Sequence, residues 1–193
     1  MIGAVVIAAG ESRRMGRNKL LIEIGGKPLI ERVISFFDGV ADELVVVLGH
    51  KPEQTTPLLK KLGVRWVVNE GYAEGMASSF KRGLKELEDC EAVFLALGDQ
   101  PFMDKNFLRE AINAWRNGVK VVSPVHNGKK GHPVLFDKSL FSEILSLGKQ
   151  ETVRDVIHKH SGEHQVIEAG EWAVVDIDSP EDLERLNKIT CPK

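Results

Sequence analysis

Short runs of uninterrupted apolar residues recur along this chain, each followed by a turn and then by a segment with helical spacing. That alternation constrains the fold more than any other feature. Ala4 to Ala8 is the first run, and Glu43 to Gly49, Val64 to Val68 and Glu91 to Leu97 follow it. A run that is apolar at every position suits a strand buried on both faces of a parallel sheet. Between the runs, Leu29, Ile30, Val33, Ile34 and Phe37 recur at helical spacing behind Pro28, which is well placed in a first helical turn. Further helices are predicted from Pro52 through Leu62, from about Met76 to Ser78 onward, and over Asp104 to Trp115, Asp137 to Leu147 and Glu151 to His160. Lys120 to Pro124 reads as a strand, with a hairpin turn at Asn127-Gly128. Gln165 to Ala169 and Trp172 to Ile177 are expected to form a closing pair of strands. The pattern predicts an α/β fold, a mostly parallel sheet with helices on both faces. At 193 residues, with no repeat, low-complexity tract or long linker, residues 1–193 are expected to form a single domain.

Val5 to Lys19, VVIAAGESRRMGRNK, carries the first chemistry. The strand breaks at Gly10 into a loop bounded by Gly16, in which backbone N–H groups can approach an anion while Arg13, Arg14 and Lys19 bring positive charge to the same point. No Gly-Lys-Ser/Thr follows and the string is not GxGxxG, so neither of those nucleotide motifs applies. A strand followed by a solvated basic turn is the plain alternative. Asn69 to Gly83 leaves another strand end and enters a helix. It therefore lies on the side of the sheet where ligands bind in open α/β folds, although Ser78 could simply cap that helix and Met76 fill core.

Gly98-Asp99-Gln100-Pro101 ends the fourth apolar run. An aspartate there can project into the same cleft, and Mg²⁺, a hard cation that prefers oxygen, is the ion such a carboxylate holds beside a nucleotide. Taken alone, Asp99 could equally cap the Pro101 turn. Lys129-Lys130-Gly131-His132-Pro133 sets two cations and a histidine beside a glycine, and reads either as an acceptor-binding segment or as a soluble edge strand. Lys27, before the first helix, is either an exposed turn lysine or a residue that reaches substrate. His158 and His160 suit the negative end of a helix dipole and lack further zinc ligands at sensible spacing. Near the end, Ser179, Pro180 and Asp182 form a helix start with a capping box, whereas Asp176 and Asp178 alternate about an expected strand end and point to one face.

IAAGESRRMGRNK, from Ile7 to Lys19, resembles the LAAGxSxRMGxxK signature of nucleotidyltransferases related to the molybdenum cofactor enzymes. The Asn69 to Ser79, GDQP, GHPVLF and DIDSPEDL segments match further family elements in family order. The resemblance implies a Rossmann-like fold of the nucleotide-diphospho-sugar transferase type. It implies a triphosphate held by Ala8, Ala9, Gly10, Arg14, Gly16 and Lys19, with base and ribose contacts from Asn69, Gly75 and Ser79, and Met76 a weaker candidate. Arg14, Lys19 and Asp99 take the catalytic positions, Asp99 and Asp178 hold Mg²⁺, and Lys130, Gly131 and His132 face the acceptor. Ala9, where guanylyl relatives tend to have glycine, together with GDQPF and GHPVLF, tilts the resemblance toward the cytidylyl branch, with CTP favoured and a phosphorylated acceptor such as molybdopterin. A molybdoenzyme or its chaperone would then be the downstream partner. Guanylyl transfer, transfer to a sugar phosphate, methylerythritol phosphate or phospholactate, and a nucleotide-binding regulator without turnover remain open alternatives.

Charge and composition agree with a small anionic ligand and argue against larger partners. A formal charge of -2 gives no expectation of nucleic-acid binding. No apolar run is long enough to cross a bilayer and no leader pattern opens the chain, so a cytoplasmic location and no membrane partner are expected. Cys90 and Cys191 have no spacing that suggests a disulfide framework or a zinc site.

Overall fold

The computed structural model describes residues 1–179 and 181–184; Pro180 and Cys191 lie outside them. The first apolar run becomes β1 (Ile2–Ala8), and the later runs become β4 (Glu43–Leu48), β5 (Arg65–Val68) and β6 (Ala92–Leu97). All four are parallel neighbours, in the order β6-β1-β4-β5. Between β1 and β4 the chain makes a short antiparallel hairpin, β2 (Glu23–Ile24) and β3 (Lys27–Pro28), which delivers Pro28 to the start of α1 (Leu29–Ser35).

Beyond β6 the sheet direction reverses and then reverts. β7 (Val121–His126) and β9 (Val134–Asp137) are antiparallel to each other, and β9 is wedged between β6 and β7. β8 (Lys129–Lys130) folds back on β7 through Asn127 (φ 50) and Gly128 (φ 77), which gives the hairpin expected of Asn-Gly. β10 (His164–Glu168) adds to the far edge, parallel to β7. The sheet is thus mostly parallel, as the sequence predicts. Trp172 to Ile177, expected to pair with β10, is instead a 3-10 turn at Glu171–Ala173 followed by irregular chain in no ladder. Its backbone is engaged elsewhere: His132 N–H donates to Ala173 O at 3.0 Å and Ile177 N–H to Asp99 O at 3.0 Å.

Both faces are covered because the strands are apolar on both. Ala4, Val6 and Ala8 of β1 join a core beneath α1, α2 (Thr56–Lys61) and α4 (Lys105–Arg116). Val5 turns the other way, into a core with Phe80 and Leu84 of α3 (Met76–Leu84), Phe141 and Ile144 of α5 (Phe141–Ser146), and Val153 and Val156 of α6 (Val153–Lys159). Phe80, Phe94 and Phe136 are fully buried, and at about 1.5–3 kcal/mol for each large apolar side chain such layers dominate the stability. No helix among the described residues is long and apolar enough to cross a membrane. Because β1, β4, β5 and β6 are parallel, the loops that follow them open at one end of the sheet, where ligands bind in such folds.

Candidate active site

β1 delivers the chain at Ala8 into the basic loop, whose inner surface is lined by Ala8, Ala9, Gly10, Glu11, Ser12, Arg13 and Arg14. The loop holds its shape through Met15, buried beneath the Arg13–Met15 3-10 turn, and through left-handed residues at Ser12 (φ 52) and Gly16 (φ 65). Lys19 N–H donates to Ser12 Oγ at 3.3 Å and closes the turn. The N–H groups of Gly10, Glu11 and Ser12 donate to no group within the described residues. Backbone donors left open at a cleft wall are the ordinary elements of an anion nest. A Cβ built on Gly10 would meet nothing within 4 Å, so glycine there opens the cleft rather than permitting close packing.

Lys19 is buried although charged, and it bridges the loop to two other segments. Its Nζ donates to Asp99 Oδ2 at 2.7 Å and to Asp178 Oδ1 at 2.6 Å, and Arg14 reaches Asp178 Oδ2 at 2.5 Å. Burial pulls the Lys19 ammonium down, but the two carboxylates outweigh it and its pKa is raised. Burial also pushes Asp99 up, more than Lys19 pulls it down. The hydrogen bond from Lys19 holds Asp178 below the usual carboxylate range. Asp99 and Asp178 lie far apart in sequence and are joined at the backbone by the Ile177 to Asp99 bond. Gln100 adds a second tie, with Nε2 donating to Asp176 Oδ1 at 2.6 Å. Asp176, the alternative to Asp178, is therefore engaged by Gln100, while Asp178 turns into the cleft.

Two carboxylate oxygens that converge on one cation within hydrogen-bond distance form a hard-oxygen donor set. A divalent cation beside a polyphosphate needs only one or two protein carboxylates, the remainder coming from phosphate and water. Asp99 and Asp178 fit Mg²⁺ on those grounds. Among the described residues no group of three or more His, Cys, Asp or Glu forms an all-protein metal cage.

The opposite wall of the cleft comes from the loop after β5 and the start of α3: Tyr72, Ala73, Gly75, Met76 and Ser79. The cleft encloses about 560 Å³, within the usual range for a small-ligand site. Asn69, expected to contact ligand, is buried and turned inward. Its Oδ1 accepts from Gly71 N–H at 3.1 Å, and its Nδ2 donates to Ser78 Oγ at 2.8 Å and Ser79 Oγ at 3.0 Å. Both amide hydrogens are used, so Asn69 shapes this loop from behind, while Gly75 (φ 108) and Ser79 line the cleft. Met76 lines it too and is exposed.

Lys130, Gly131 and His132 do not line this cleft. Gly131 is buried under the 3-10 turn, where an added Cβ would stand 1.9 Å from Ala173 O, so close backbone packing alone demands glycine. Lys130 is exposed on β8. His132 is half-buried, and burial pulls its pKa down to about 4. Lys27 is exposed and pairs with Glu31 at 3.7 Å.

Four residues in or beside the cleft escaped the reading of the sequence. Glu11 pairs with Arg13 and accepts from Tyr72 O–H at 3.5 Å, and Tyr72 O–H in turn lies 3.3 Å from His50 Nδ1. Gln100 is the fourth. Glu11 could have been found from its place inside the loop; Tyr72, His50 and Gln100 are brought in by topology and carry no local signal.

This architecture, an open and mostly parallel sheet whose first strand-loop frames a cleft, is the fold of the nucleotide-diphospho-sugar transferases. Within that class the chain belongs to the MobA-like NTP transferase domain family, which matches residues 4–166. It is 24% identical over 184 residues to the molybdenum cofactor cytidylyltransferase of Escherichia coli (strain K12), covering 94% of this chain and 93% of that protein. It is 28% identical over 210 residues to the 2-C-methyl-D-erythritol 4-phosphate cytidylyltransferase of Dehalococcoides mccartyi, covering 94% and 92%. A probable molybdenum cofactor guanylyltransferase of Natronomonas pharaonis is 28% identical over 193 residues, covering 94% of each. Among solved structures, Rv0371c from Mycobacterium tuberculosis H37Rv superposes with a TM-score of 0.82 at 25% identity, covering 97% of each chain.

Proposed function

We propose that this nucleotidyltransferase-family protein moves a cytidylyl group from CTP onto the phosphate of molybdopterin or its molybdenum-bearing form and releases pyrophosphate. The observation that carries the reading is Lys19, buried at the mouth of the cleft between Asp99 and Asp178, with the open backbone of the loop beside it. A phosphate monoester has its second pKa near ~6, so at neutral pH the acceptor oxygen is already ionised and attack on the α-phosphorus needs no general base. The α–β bond breaks as the new P–O bond forms, and the electron pair leaves on pyrophosphate. Arg14, Lys19 and the N–H groups of Gly10 to Ser12 would neutralise that growing charge, the kind of preorganised stabilisation that dominates such reactions. Asp99 and Asp178 are the residues that would hold Mg²⁺, which when bound supplies charge neutralisation across the reacting phosphates. Glu11 pairs with Arg13 at the edge of the loop.

For the nucleobase, Ala9 is buried and sets a methyl group in the cleft wall facing Tyr72, Ala73 and Met76, which supports the smaller pyrimidine. Steric discrimination of this kind is worth about 1–3 kcal/mol, roughly one to two decades. The likeness to a methylerythritol phosphate cytidylyltransferase over nearly the whole chain supports a second acceptor with the same nucleotide. The test is transfer from equimolar CTP and GTP in the presence of Mg²⁺, with molybdopterin and methylerythritol phosphate offered separately, and product read by mass spectrometry with pyrophosphate release. Cytidylylated molybdopterin is the expected product. A guanylyl product overturns the nucleobase, the methylerythritol product overturns the acceptor, and no product with any combination favours a binding protein without turnover.

A further inference from the structure

Gln100 follows Asp99 just beyond β6 and is only 3% exposed. Its Nε2 donates to Asp176 Oδ1 at 2.6 Å, while its Oε1 is buried and meets no donor among the described residues. A carboxylate only accepts, so the amide has to face Asp176 with its nitrogen and leave its oxygen pointing away. A buried acceptor without a partner destabilises a fold. An apolar side chain would fill the same place without that orphan oxygen, so packing alone does not call for glutamine here. The bond to Asp176 does. Asp176 is itself exposed, and water can satisfy its carboxylate. What the bond secures is therefore the placement of a piece of chain, not the neutralisation of a buried charge.

That piece is 176–178. Ile177 N–H donates to Asp99 O at 3.0 Å, and beyond it Asp182 Oδ2 accepts from the N–H groups of Asp178 and Ser179 at 3.0 and 2.8 Å. Asp178 lies between these anchors, with Oδ1 2.6 Å from Lys19 Nζ. The tie at Ile177 sets how far apart the two main chains run, and the tie at Asp176 stops the segment from turning about the first. We infer that Gln100 is a positioning residue for the acid pair: by holding Asp176 it fixes the 176–178 segment, so that the Asp178 carboxylate stays beside Asp99 at the spacing a nucleotide-bound divalent cation needs. The inference rests on the nucleotidyl-transfer reading for that cation. Groups that orient metal-holding carboxylates from behind are typically worth about 10–100-fold in metal affinity.

The test is the calorimetric affinity for CTP, measured once with Mn²⁺ and once with chelator, with no acceptor present. Mn²⁺ shares the octahedral, oxygen-liking coordination of Mg²⁺, and the ratio of the two affinities is the contribution of the metal. Gln100→Met keeps the bulk of the side chain and removes the donor. Asp176→Ala removes the acceptor at an exposed position, so it reports even if the buried variant does not fold. The expected result is a ratio about tenfold lower in both variants, with the affinity in chelator unchanged. Asp176→Asn, which keeps an oxygen for Gln100 Nε2, should retain the wild-type ratio. A wild-type ratio in folded Gln100→Met or in Asp176→Ala overturns the inference. So does an equal loss with and without metal, or a fall in Asp176→Asn as large as in Asp176→Ala. If the wild-type chain takes up no CTP, or gains no affinity from Mn²⁺, the transfer reading fails instead and hydrogen exchange of the Ile177 amide decides. Faster exchange in Asp176→Ala but not in Asp176→Asn upholds the positioning, and any other pattern overturns it.

Discussion

Lys19→Met keeps most of the aliphatic stem and removes only the ammonium that Asp99 and Asp178 share. Removing one partner of a buried pair usually costs about 3–5 kcal/mol, because the remaining charge stays buried and unpaired. Here the Asp99 and Asp178 side chains are 23% and 34% exposed, and Arg14 still reaches Asp178 at 2.5 Å, so solvent and one cation soften the loss. The expected destabilisation is about 2–3 kcal/mol at pH 7, a fall in melting temperature of roughly 5–10 °C for a chain of this size. Urea unfolding followed by circular dichroism gives the first figure. A double-mutant cycle with Asp178→Asn should then return a coupling of about 0.5–3 kcal/mol, since the groups touch. In transfer assays kcat should fall about 10²–10³-fold, with a smaller change in nucleotide KM, because the charge is needed most as pyrophosphate departs. A variant as stable as wild type, an additive cycle, or a change confined to KM would refute the reasoning.

Asp99→Asn should leave the fold intact, because Lys19 keeps Asp178, while transfer drops about 10²–10³-fold; near wild-type, metal-dependent turnover would remove Asp99 from the site. Gly131→Ala should cost roughly 3 kcal/mol or more, read as a lower urea midpoint, because the new methyl would stand against the Ala173 carbonyl, whereas exposed Lys130→Ala should stay within about 0.5 kcal/mol. His164, drawn down to about 4 by burial and 2.8 Å from Ser123 Oγ, protonates in the unfolded chain before it does in the folded one. Its contribution is therefore intact above about pH 6.5 and is lost as pH falls toward 4, so urea midpoints at pH 7 and pH 5 should differ less in His164→Gln than in wild type. An unchanged difference would exclude His164 as a source of acid sensitivity.

The parts of this molecule legible in the sequence are those where local chemistry and tertiary position agree. Ala4 to Ala8 is apolar at every position because both faces of β1 are covered, and Asn127-Gly128 makes a hairpin because both residues accept left-handed backbone. Trp172 to Ile177 misled for the opposite reason. Its run of apolar residues resembles a strand, but it packs against Gly131 and the Asp99 turn, and both of those neighbours are remote in sequence. Asp178 reaches the cleft from irregular chain, not from the strand end about which it and Asp176 were expected to alternate. Asn69 has the composition of a ligand contact, yet the geometry spends both its amide hydrogens on Ser78 and Ser79. Gln100 gave no sign of itself until folding set it beside Asp176.

The bond from Ile177 N–H to Asp99 O makes the spacing of the two acids heritable in an unusual way. A tether between side chains disappears with one substitution, whereas a tether between an amide and a carbonyl survives every replacement except proline at the donor. Ile177 is fully buried and must stay apolar, but drift among apolar residues there leaves the gauge between the carboxylates unaltered. Directed evolution that varies apolar residues at 177 while sparing 99 and 178 would therefore search core packing around an acid pair whose main-chain tie is kept. Proline at 177, or glutamate at 99 or 178, is the change such a library should avoid.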